Sequence, residues 1–556
     1  MKMLCRALAA SLLVSTAPAL AASPSPESVD QVFSEYGKDG PGCALAVVKD
    51  GSIVHSKGYG LANVEHGVPI TPQTVFDIGS TSKQITAASI LLLAQDGKLS
   101  LDDDIRKHIP EMPDYGTPVT LRHLLHHTAG LRDYIELLRL GEISFEDVAT
   151  DDDGLVALSR QKSLDFKPGS EHSYSNSGYF LLSLVVKRVS GKTLRDFAQE
   201  RIFTPLGMTS TQILDDHTLV IPRRAASYAP RRDGGFRIVT ANWEQTGDGA
   251  VQTTVEDLAK WDRNFYDPKV GGPGLVEQLQ VKGVLNDGTT IPYARGLIVN
   301  EHRGLRRVLH GGGWAGYLAE MIRFPDERLS VITLCNRQDV NPTGLAMQVA
   351  ELYLADRMKP VAEAPAPKAA APAAQPAADA SRHAGLFWNP VTGMIRRIEA
   401  RDGKLFYQRG PGNESELAPL GGSRFSMTGA PMETVVAFAS SGGAREMRVE
   451  TAGEKPIVFQ GVEPFAPATT DLAAFAGTFY SEELDMTFKL TVEDGRLVLR
   501  TRRQHEPVPL EPVFADAFRF PGGGPLLRFT RSGKDVTGFS TGNARARNLG
   551  FTRVRP

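Results

Sequence analysis

Hydrophobic positions in the first 359 residues alternate between strand-like and helix-like patterns. Two short apolar runs, Cys43–Lys49 and Ile53–Gly58, flank an Asp-Gly pair and predict a β-hairpin. The other predicted elements are the helices Thr81–Gln95, Leu121–His127, Gly178–Val189, Val255–Phe265 and Gly344–Met358 and the strands Val308–Gly311, Tyr317–Phe324 and Ser330–Leu334. Strands at both ends with helices between them predict the α+β class, one antiparallel sheet covered by helices.

The pattern changes after residue 380. Short alternating runs are separated by Gly, Asp and Pro turns, and no segment has a convincing helical period. An Ala-Gly-x-Phe motif at residue 384 and an Asp-Gly pair at residue 402 both recur 92 residues later. The repeat predicts two small antiparallel β-barrels, residues 381–465 and 466–556.

Two segments differ in composition from these predicted domains. Residues 1–21 have a basic head, an apolar run and a small-x-small end, which is typical of a secretory signal and predicts export to a periplasm or beyond. The apolar run is shorter than the roughly 20 residues of a membrane-spanning helix, so no span is expected.

Residues 360–380 contain 11 Ala and 5 Pro and predict an extended linker after a first domain of residues 22–359. We expect proteolysis to cut this linker first and to release the first domain folded.

Composition and charge exclude several classes of function. Lys and Arg number 62 against 64 Asp and Glu, so the net charge of −2 provides no electrostatic surface for nucleic acid. Three cysteines are too few for a disulfide scaffold, a thiolate zinc site or an iron–sulfur centre.

A Ser-x-x-Lys pair is the first candidate for chemistry. Ser80 lies at the start of an almost wholly apolar predicted helix, and Lys83 follows one turn later on the same face. A serine hydroxyl needs an adjacent base to become a nucleophile, and a buried lysine amine can serve as that base. A second pair, Ser159 and Lys162, lies in a polar segment and is interpreted as solvated surface.

Two later motifs strengthen this signal. Tyr174 and Asn176 form the only Tyr-x-Asn in the chain, and His310 precedes a glycine run that includes Gly312 and Gly313. Taken alone, the first could be a capped turn with a packed tyrosine, and the second could be a glycine-rich turn. Their order after Ser-x-x-Lys favours a functional interpretation.

The three motifs in this order resemble the serine β-lactamase and penicillin-binding-protein superfamily. The likeness is to the class C-type branch of esterases and D-aminopeptidases, in which His-x-Gly replaces Lys-Thr-Gly and, in the D-aminopeptidases, two β-barrels follow the catalytic domain. Further segments that resemble this branch are Leu99–Asp103, Leu121–Leu131, Phe203–Met208, Thr254–Ala259, Gly477–Asp485 and Gly550–Pro556.

The resemblance implies a role for each motif residue. Ser80 would be the acylated nucleophile, and Lys83 and Tyr174 would share the general-base and general-acid work, in an order that the sequence leaves open. Asn176 would hold Lys83 or the substrate amide. His310 would complete the hydrogen-bond network around Tyr174 or the leaving group.

The oxyanion hole would be formed by backbone N–H groups of Ser80 and Gly313, with Gly312 as the neighbouring alternative. No cofactor and no metal are expected. His123 and His127 are spaced like metal ligands, but no Glu completes a His-Glu-x-x-His motif, and the same block is structural in relatives.

The expected function is therefore that of an exported serine hydrolase, most like a D-aminopeptidase, acting on a small peptide, amide or ester substrate. The alternatives are a broad esterase, a penicillin-binding or peptidoglycan-related protein, and, in a different class, a non-catalytic cell-wall-binding sensor. β-Lactamase and carboxypeptidase activities are disfavoured, because His-Gly-Gly has neither the hydroxyl nor the permanent cation with which Lys-Thr-Gly holds a substrate carboxylate. The sequence is compatible with either a monomer or a homodimer.

A loop of the last barrel bears on specificity. In the D-aminopeptidases that this chain resembles, such a loop reaches the catalytic cleft, where acidic character favours a free amino group. The matching segment here, Pro521–Pro525, is short and has no carboxylate. We expect it not to reach the cleft, and N-acylated amides or simple esters to compete well with free-amine substrates.

Cys43 and Cys335 each lie in a strand-like apolar run. They could be two small buried hydrophobic residues. That interpretation is the favoured one. The resemblance adds a disulfide as the alternative, because the first and last strands of the superfamily's sheet are neighbours, although cysteines on adjacent strands often have poor geometry for bridging.

Overall fold

The computed structural model describes residues 24–360, 381–410, 412–430, 434–451, 455–501, 503 and 506–554. The predicted signal segment and the predicted linker after Pro360 lie outside these residues. In the part of the chain that the structure describes, none of the helices combines the length with the apolar character that a membrane-spanning helix needs.

The first domain is built around a six-stranded antiparallel sheet. The strands of this domain are β1 (Cys43–Lys49), β2 (Ser52–Tyr59), β3 (Leu61–Asn63), β4 (Val68–Pro69), β5 (Phe76–Asp77), β6 (Val148–Ala149), β7 (Gln212–Ile213), β8 (Tyr228–Pro230), β9 (Phe236–Ile238), β10 (Asn242–Trp243), β11 (Val251–Thr253), β12 (Ile298–His302), β13 (Leu305–Trp314), β14 (Tyr317–Phe324) and β15 (Leu329–Cys335). The large sheet has the order β12-β13-β14-β15-β1-β2, so the N-terminal hairpin pairs with the last strand of the domain.

Helices cover both faces of this sheet. They are α1 (Pro26–Val32), α2 (Lys83–Gln95), α3 (Leu121–Leu125), α4 (Tyr134–Leu140), α5 (Asp151–Ser159), α6 (Asn176–Ser190), α7 (Leu194–Ala198), α8 (Thr204–Leu206), α9 (Val255–Arg263), α10 (Gly272–Leu279) and α11 (Pro342–Leu354). One core contains α1 and α11, and the larger core on the other face contains α2, α6 and α9. The predicted α+β class is confirmed.

Several predicted elements differ from the observed ones at their ends. The helix predicted to reach His127 ends at Leu125, because His127 adopts a left-handed backbone with φ of 56°. The helix predicted to reach Met358 ends at Leu354. Strand β12 and helices α4, α5, α7 and α10 were not predicted, since they are short or partly exposed and have weak periodicity.

Two β-barrels follow. The first is a closed barrel of eight strands, β16 (Gly385–Trp388), β17 (Ile395–Arg401), β18 (Lys404–Gly410), β19 (Asn413–Gly421), β20 (Arg424–Met427), β21 (Thr434–Ser441), β22 (Ala444–Thr451) and β23 (Ile457–Val462). After the short helix α12 (Thr469–Leu472), the second is a nearly closed sheet of nine strands, β24 (Gly477–Ser481), β25 (Met486–Glu493), β26 (Arg496–Arg500), β27 (Val508–Pro509), β28 (Glu511–Phe514), β29 (Ala517–Arg519), β30 (Leu526–Ser532), β31 (Asp535–Asn543) and β32 (Ala546–Arg553).

The internal repeat has a structural basis. The repeated Ala-Gly-x-Phe motifs begin β16 and β24, the first strand of each barrel. Both repeated Asp-Gly pairs form tight turns in which each residue has positive φ, with 51° and 76° at Asp402 and Gly403 and 47° and 73° at Asp494 and Gly495. Such turns match the right-handed twist of a hairpin. The two predicted barrels are confirmed.

The second barrel packs into the first domain. Ala546 and Leu549 are fully buried in the same core as α2 and α6. The buried Arg132 donates a hydrogen bond to the backbone carbonyl of Arg547 (3.0 Å) and forms an ion pair with Glu483 (2.7 Å). The first domain and the second barrel therefore share a core.

The cysteine pair is joined. Cys43 of β1 lies opposite Cys335 of β15, and their sulfur atoms form a disulfide between residues 292 positions apart in sequence. Of the two interpretations, the disulfide is confirmed.

Reduction of this disulfide should destabilise the protein. Closing so long a loop restricts the unfolded chain, so we expect a reductant to lower the free energy of unfolding by about 2–5 kcal/mol in urea titrations. The Cys43→Ala/Cys335→Ala double variant is the control and should not respond to the reductant. Titration of both of these cysteines as free thiols in the unfolded, unreduced protein would contradict the prediction.

Candidate active site

Ser80 lies in a 3₁₀ turn, Gly79–Ser82, that leads directly into α2. Gly79 has φ of 47°, and its N–H donates to a carboxyl oxygen of the buried Asp77 (2.7 Å). A Cβ atom at Gly79 would lie 2.6 Å from the backbone nitrogen of Gly313 on β13. Only glycine allows this approach, which places the Ser80 turn directly against the backbone of β13 at Gly313.

Lys83 is the centre of the hydrogen-bond network. Its side chain is 0% exposed. Its Nζ atom lies 3.0 Å from Ser80 Oγ, 3.0 Å from Asn176 Oδ1 and 2.7 Å from the backbone oxygen of Asp248. Three of the predicted site residues therefore meet directly, with the amine within proton-transfer distance of the serine hydroxyl.

Tyr174 lies at the wall of the same cleft. Its half-buried ring centroid is 5.0 Å from Lys83 Nζ and 4.2 Å from the ring centroid of His127. Tyr174 lies on the loop just before α6, which begins at Asn176. The end of this loop and the start of the buried helix thus position both members of the Tyr-x-Asn motif.

Asp133 orients Asn176 and was missed by the sequence analysis. Its Oδ2 atom accepts hydrogen bonds from the backbone N–H (2.7 Å) and the side-chain Nδ2 (3.0 Å) of Asn176, which leaves the Asn176 Oδ1 atom for Lys83. Its Oδ1 atom caps α4 by accepting from the N–H of Ile135 (3.0 Å). Burial raises the pKa of Asp133, and the hydrogen bond from the Asn176 N–H opposes this. The available sequence signal was an Asp at the N-cap of an apolar helix.

Asp248 is a second acid that sequence reasoning missed. Besides its backbone contact with Lys83, its carboxyl group accepts a hydrogen bond from the hydroxyl of the buried Tyr134 (3.2 and 3.3 Å). Burial raises the pKa of Asp248 to about 7, although the nearby Lys83 opposes the shift. The carboxyl group is therefore protonated in the folded state at mildly acidic pH.

This shift predicts a pH dependence of stability. Asp248 in the unfolded chain ionises near its ordinary pKa of 3.8, whereas the folded protein retains the proton up to about pH 7. The folded state therefore binds more protons in this range, and the free energy of unfolding should fall as pH rises through it. Asp248→Asn removes this contribution, so we expect the variant to gain stability relative to the parent from about pH 4 to about pH 7 and no further above it.

Urea titrations at about pH 4, 6 and 8 would measure the difference. Asp535→Asn, at an exposed position, is the matched control and should follow the parent. Equal pH slopes for Asp248→Asn and the parent would refute the raised pKa.

The structure places His310 on β13 beside Tyr293. The His310 Nε2 atom lies 3.0 Å from the Tyr293 hydroxyl, and its Nδ1 atom lies 2.6 Å from the carbonyl oxygen of Gly311. The ring centroids of His310 and Tyr174 are 6.3 Å apart. Burial, with a further contribution from Lys83, lowers the pKa of His310 to about 4. His310 is therefore neutral near pH 7, and Tyr293 joins the site as a residue that the sequence did not indicate.

The glycine run on β13 has a steric reason. A Cβ atom at Gly312 would lie 1.9 Å from the carbonyl oxygen of Ile78 and 2.9 Å from the backbone nitrogen of Ser80. The backbone of β13 at Gly312 therefore packs directly against the backbone of the Ser80 turn, with no room for a side chain between them. Gly313 follows with its backbone nitrogen beside Gly79, and Gly313 also lines the cleft over Ser80.

A cleft of about 400 Å³ opens over these groups. Ser80, Tyr174, Asn176 and Gly313 line it, together with Arg545 of the second barrel. The loop Pro521–Pro525, from which we derived an expectation about specificity, does not line this cleft. Its residues 523–525 line a neighbouring cavity of about 670 Å³. A different loop of the same barrel therefore contributes to the cleft.

The histidines near residue 125 are not arranged as metal ligands in the described residues. His126 and His127 are buried, and burial lowers the pKa of His126 to about 3. One other group in the described chain, Asp216, His217 and Glu244, has its potential ligand atoms within 4.8 Å of one another. None of these three lines the Ser80 cleft.

A serine beside a buried lysine at the start of a helix, in an α+β domain followed by two barrels, defines a class of serine hydrolase. The beta-lactamase family model matches residues 29–355. The chain belongs to the beta-lactamase family, and it is a serine hydrolase of that superfamily.

Comparison with individual proteins shows which members of the family this chain is similar to. A D-aminopeptidase of Gluconobacter oxydans (strain 621H) is 30% identical over 532 residues, covering 93% of this chain and 96% of that protein. Penicillin-binding protein 4* of Bacillus subtilis (strain 168) is 30% identical over 341 residues, covering 58% of this chain and 74% of that protein. The octameric penicillin-binding protein homologue from Pyrococcus abyssi superposes with a TM-score of 0.56 at 22% identity, covering 78% of this chain and 98% of that one, and supports the fold. The predicted resemblance to the D-aminopeptidase-type branch is confirmed.

Proposed function

We propose that this chain is an exported D-aminopeptidase-type hydrolase that cleaves amide or ester bonds of small substrates through an acyl-enzyme on Ser80. The observation that carries the proposal is the 3.0 Å separation of Lys83 Nζ and Ser80 Oγ at the base of an open cleft. Similarity to a D-aminopeptidase along 93% of the chain supports the substrate class. Export rests on the signal-like pattern of residues 1–21.

Acylation begins with proton transfer from Ser80 Oγ to Lys83 or Tyr174. The Oγ atom attacks the substrate carbonyl carbon, and the carbonyl π electrons move to oxygen. The backbone N–H groups of Ser80 and Gly313 stabilise this oxyanion, at about 3 kcal/mol per donor in comparable hydrolases. Collapse reforms the carbonyl, breaks the C–N or C–O bond, and leaves the proton on the departing amine or alcohol.

Deacylation follows the same path with water as the nucleophile. The base accepts a proton from water, the new tetrahedral centre expels Ser80 Oγ, and the proton returns to the serine. Asn176, held by Asp133, keeps Lys83 directed at Oγ in both halves of the reaction. Neutral His310 positions Tyr293 rather than supplying charge.

The test combines active-site labelling with substrate profiling. A fluorophosphonate probe should label Ser80, as located by peptide mass spectrometry, and should not label the Ser80→Ala variant. Amides of D-amino acids should then be hydrolysed faster than their L-enantiomers, while p-nitrophenyl esters report a broad esterase. Failure of the parent protein to label would favour the non-catalytic sensor, and a preference for L-amides would contradict the D-aminopeptidase assignment.

A further inference from the structure

The turn between β31 and β32, residues Asn543–Ala546, is hydrogen-bonded to the first domain. Asn543 Oδ1 accepts hydrogen bonds from the backbone N–H groups of Arg545 (2.8 Å) and Ala546 (3.1 Å), which closes the turn. The carbonyl oxygen of Arg545 accepts from the N–H of Asp133 (2.8 Å), and Asn543 Nδ2 donates to Glu136 (2.8 Å). One backbone and one side-chain hydrogen bond to the first domain thus fix where the Arg545 side chain begins.

The Arg545 side chain lies in the catalytic cleft. It lines the cleft with Ser80 and Asn176, and its guanidinium carbon is 5.3 Å from the ring centroid of Tyr174. Arg545 is exposed, and the ion pairs of the described residues do not include it. Its neighbour Arg547 differs in this respect, because its guanidinium is paired with Glu171. In the part of the chain that the structure describes, the second barrel therefore presents to the cleft one cation that forms no ion pair, although the buried Asp133 lies close enough to interact with it electrostatically.

The other charged groups around the cleft are already engaged. Lys83 is fully buried and surrounded by three oxygen atoms. Glu136 lines the cleft and accepts a hydrogen bond from Asn543, whereas Asp133 is buried and Asp248 is a buried residue of the cleft wall. A guanidinium presents five N–H donors in a planar fork that matches a carboxylate. An anionic substrate group is the complementary partner for such a fork.

We propose that Arg545 binds a substrate carboxylate, so that the preferred substrates of the Ser80 site are amides or esters bearing a carboxylate close to the scissile bond. This inference rests on the proposed function and specifies its substrate class. Arg545 would supply, from the second barrel, the cation that the His-Gly-Gly segment of β13 lacks. The same placement agrees with the expectation that a free amino group gains little in this cleft, since the guanidinium would repel an ammonium.

The test compares matched substrates on the parent and Arg545→Gln. One pair places a carboxylate on the acyl side, N-succinyl-D-alanine p-nitroanilide against N-acetyl-D-alanine p-nitroanilide. The other places it on the leaving group, N-acetyl-D-alanyl-D-alanine against its C-terminal methylamide, so that neither pair contains an ammonium. Loss of a charge-assisted contact should lower kcat/KM roughly 10-fold to 100-fold, mainly through KM, for the carboxylate-bearing member of at least one pair. The neutral members should change less than about twofold, and added salt should weaken only the carboxylate preference.

Two control variants separate specificity from structure. Arg545→Lys retains a cation and should keep part of the preference, whereas Lys534→Gln, which removes an exposed charge of the same barrel outside the cleft lining, should behave as the parent. Equal losses on both members of both pairs would show that Arg545 only supports the turn, and would overturn the proposal. A preference for free amines that Glu136→Gln abolishes and Arg545→Gln leaves intact would also overturn it. Either result leaves the proposed function standing, because that function is tested separately, by labelling of Ser80 in the parent protein and by its preference for D-amides over L-amides.

Discussion

Replacement of Ser80 with alanine should abolish hydrolysis, with a loss in kcat on the order of 10⁶. The hydroxyl oxygen is the only atom in the Lys83 network that can form the acyl bond, since the other two oxygen neighbours of Nζ belong to an amide side chain and a backbone carbonyl. Residual turnover would come from substrate binding and the oxyanion hole alone.

Lys83→Ala and Tyr174→Phe should each cost several orders of magnitude, and the losses should not add. A nucleophile and its base act as one unit, so the double variant Ser80→Ala/Lys83→Ala should be no slower than Ser80→Ala. Ser159→Ala is the matched control, because Ser159 belongs to the other Ser-x-x-Lys pair and donates to the Val156 carbonyl (3.0 Å). Near-parental turnover by Ser80→Ala, with activity lost in Ser159→Ala, would refute the site.

Deletion of the second barrel, residues 466–556, should leave a first domain that does not fold to an active form. Ala546 and Leu549 would be removed from the core that contains α2, and Arg132 would lose its contacts with Arg547 and Glu483 while its position stays buried. Arg132 keeps its ion pair with Asp165 (3.2 Å), so the main loss comes from the core: removing a buried leucine side chain alone costs about 2–5 kcal/mol, a large part of the 5–15 kcal/mol stability of a typical domain. Circular dichroism, thermal unfolding and fluorophosphonate labelling of the truncated chain would measure the effect.

A point variant tests the shared core without a truncation. Leu549→Ala should destabilise the first domain by about 2–5 kcal/mol, and the control Val554→Ala, at a position 47% exposed, should have little effect.

Proteolysis should still cut first in residues 360–380, but the fragments should remain associated rather than release the first domain. A truncated chain with parental stability and labelling would contradict the shared core.

Local patterns were sufficient for much of the fold. The hairpin of β1 and β2 follows from two apolar runs around Asp50-Gly51, and the two barrels follow from a motif repeated 92 residues apart. The contact between Ser80 and Lys83 could also be predicted from the sequence, because their spacing places both side chains on one face of a helix. In each case the responsible interaction lies within a few residues along the chain or repeats at a fixed interval.

Tertiary structure decided the rest of the site. Asp133 reaches Asn176 across 43 positions, Lys83 reaches the Asp248 carbonyl across 165, and Arg132 reaches the Arg547 carbonyl across 415. No periodicity links such positions, because their separation in sequence has no fixed relation to their distance in space. The location of Arg545 depends on how a β-turn of the last barrel docks on α4, and that docking is set by burial and backbone hydrogen bonds of the assembled domains. The sequence therefore determined the nucleophile, its neighbouring base and the fold that carries them, whereas only packing between distant segments decided which acids orient them and which charge the cleft offers to a substrate.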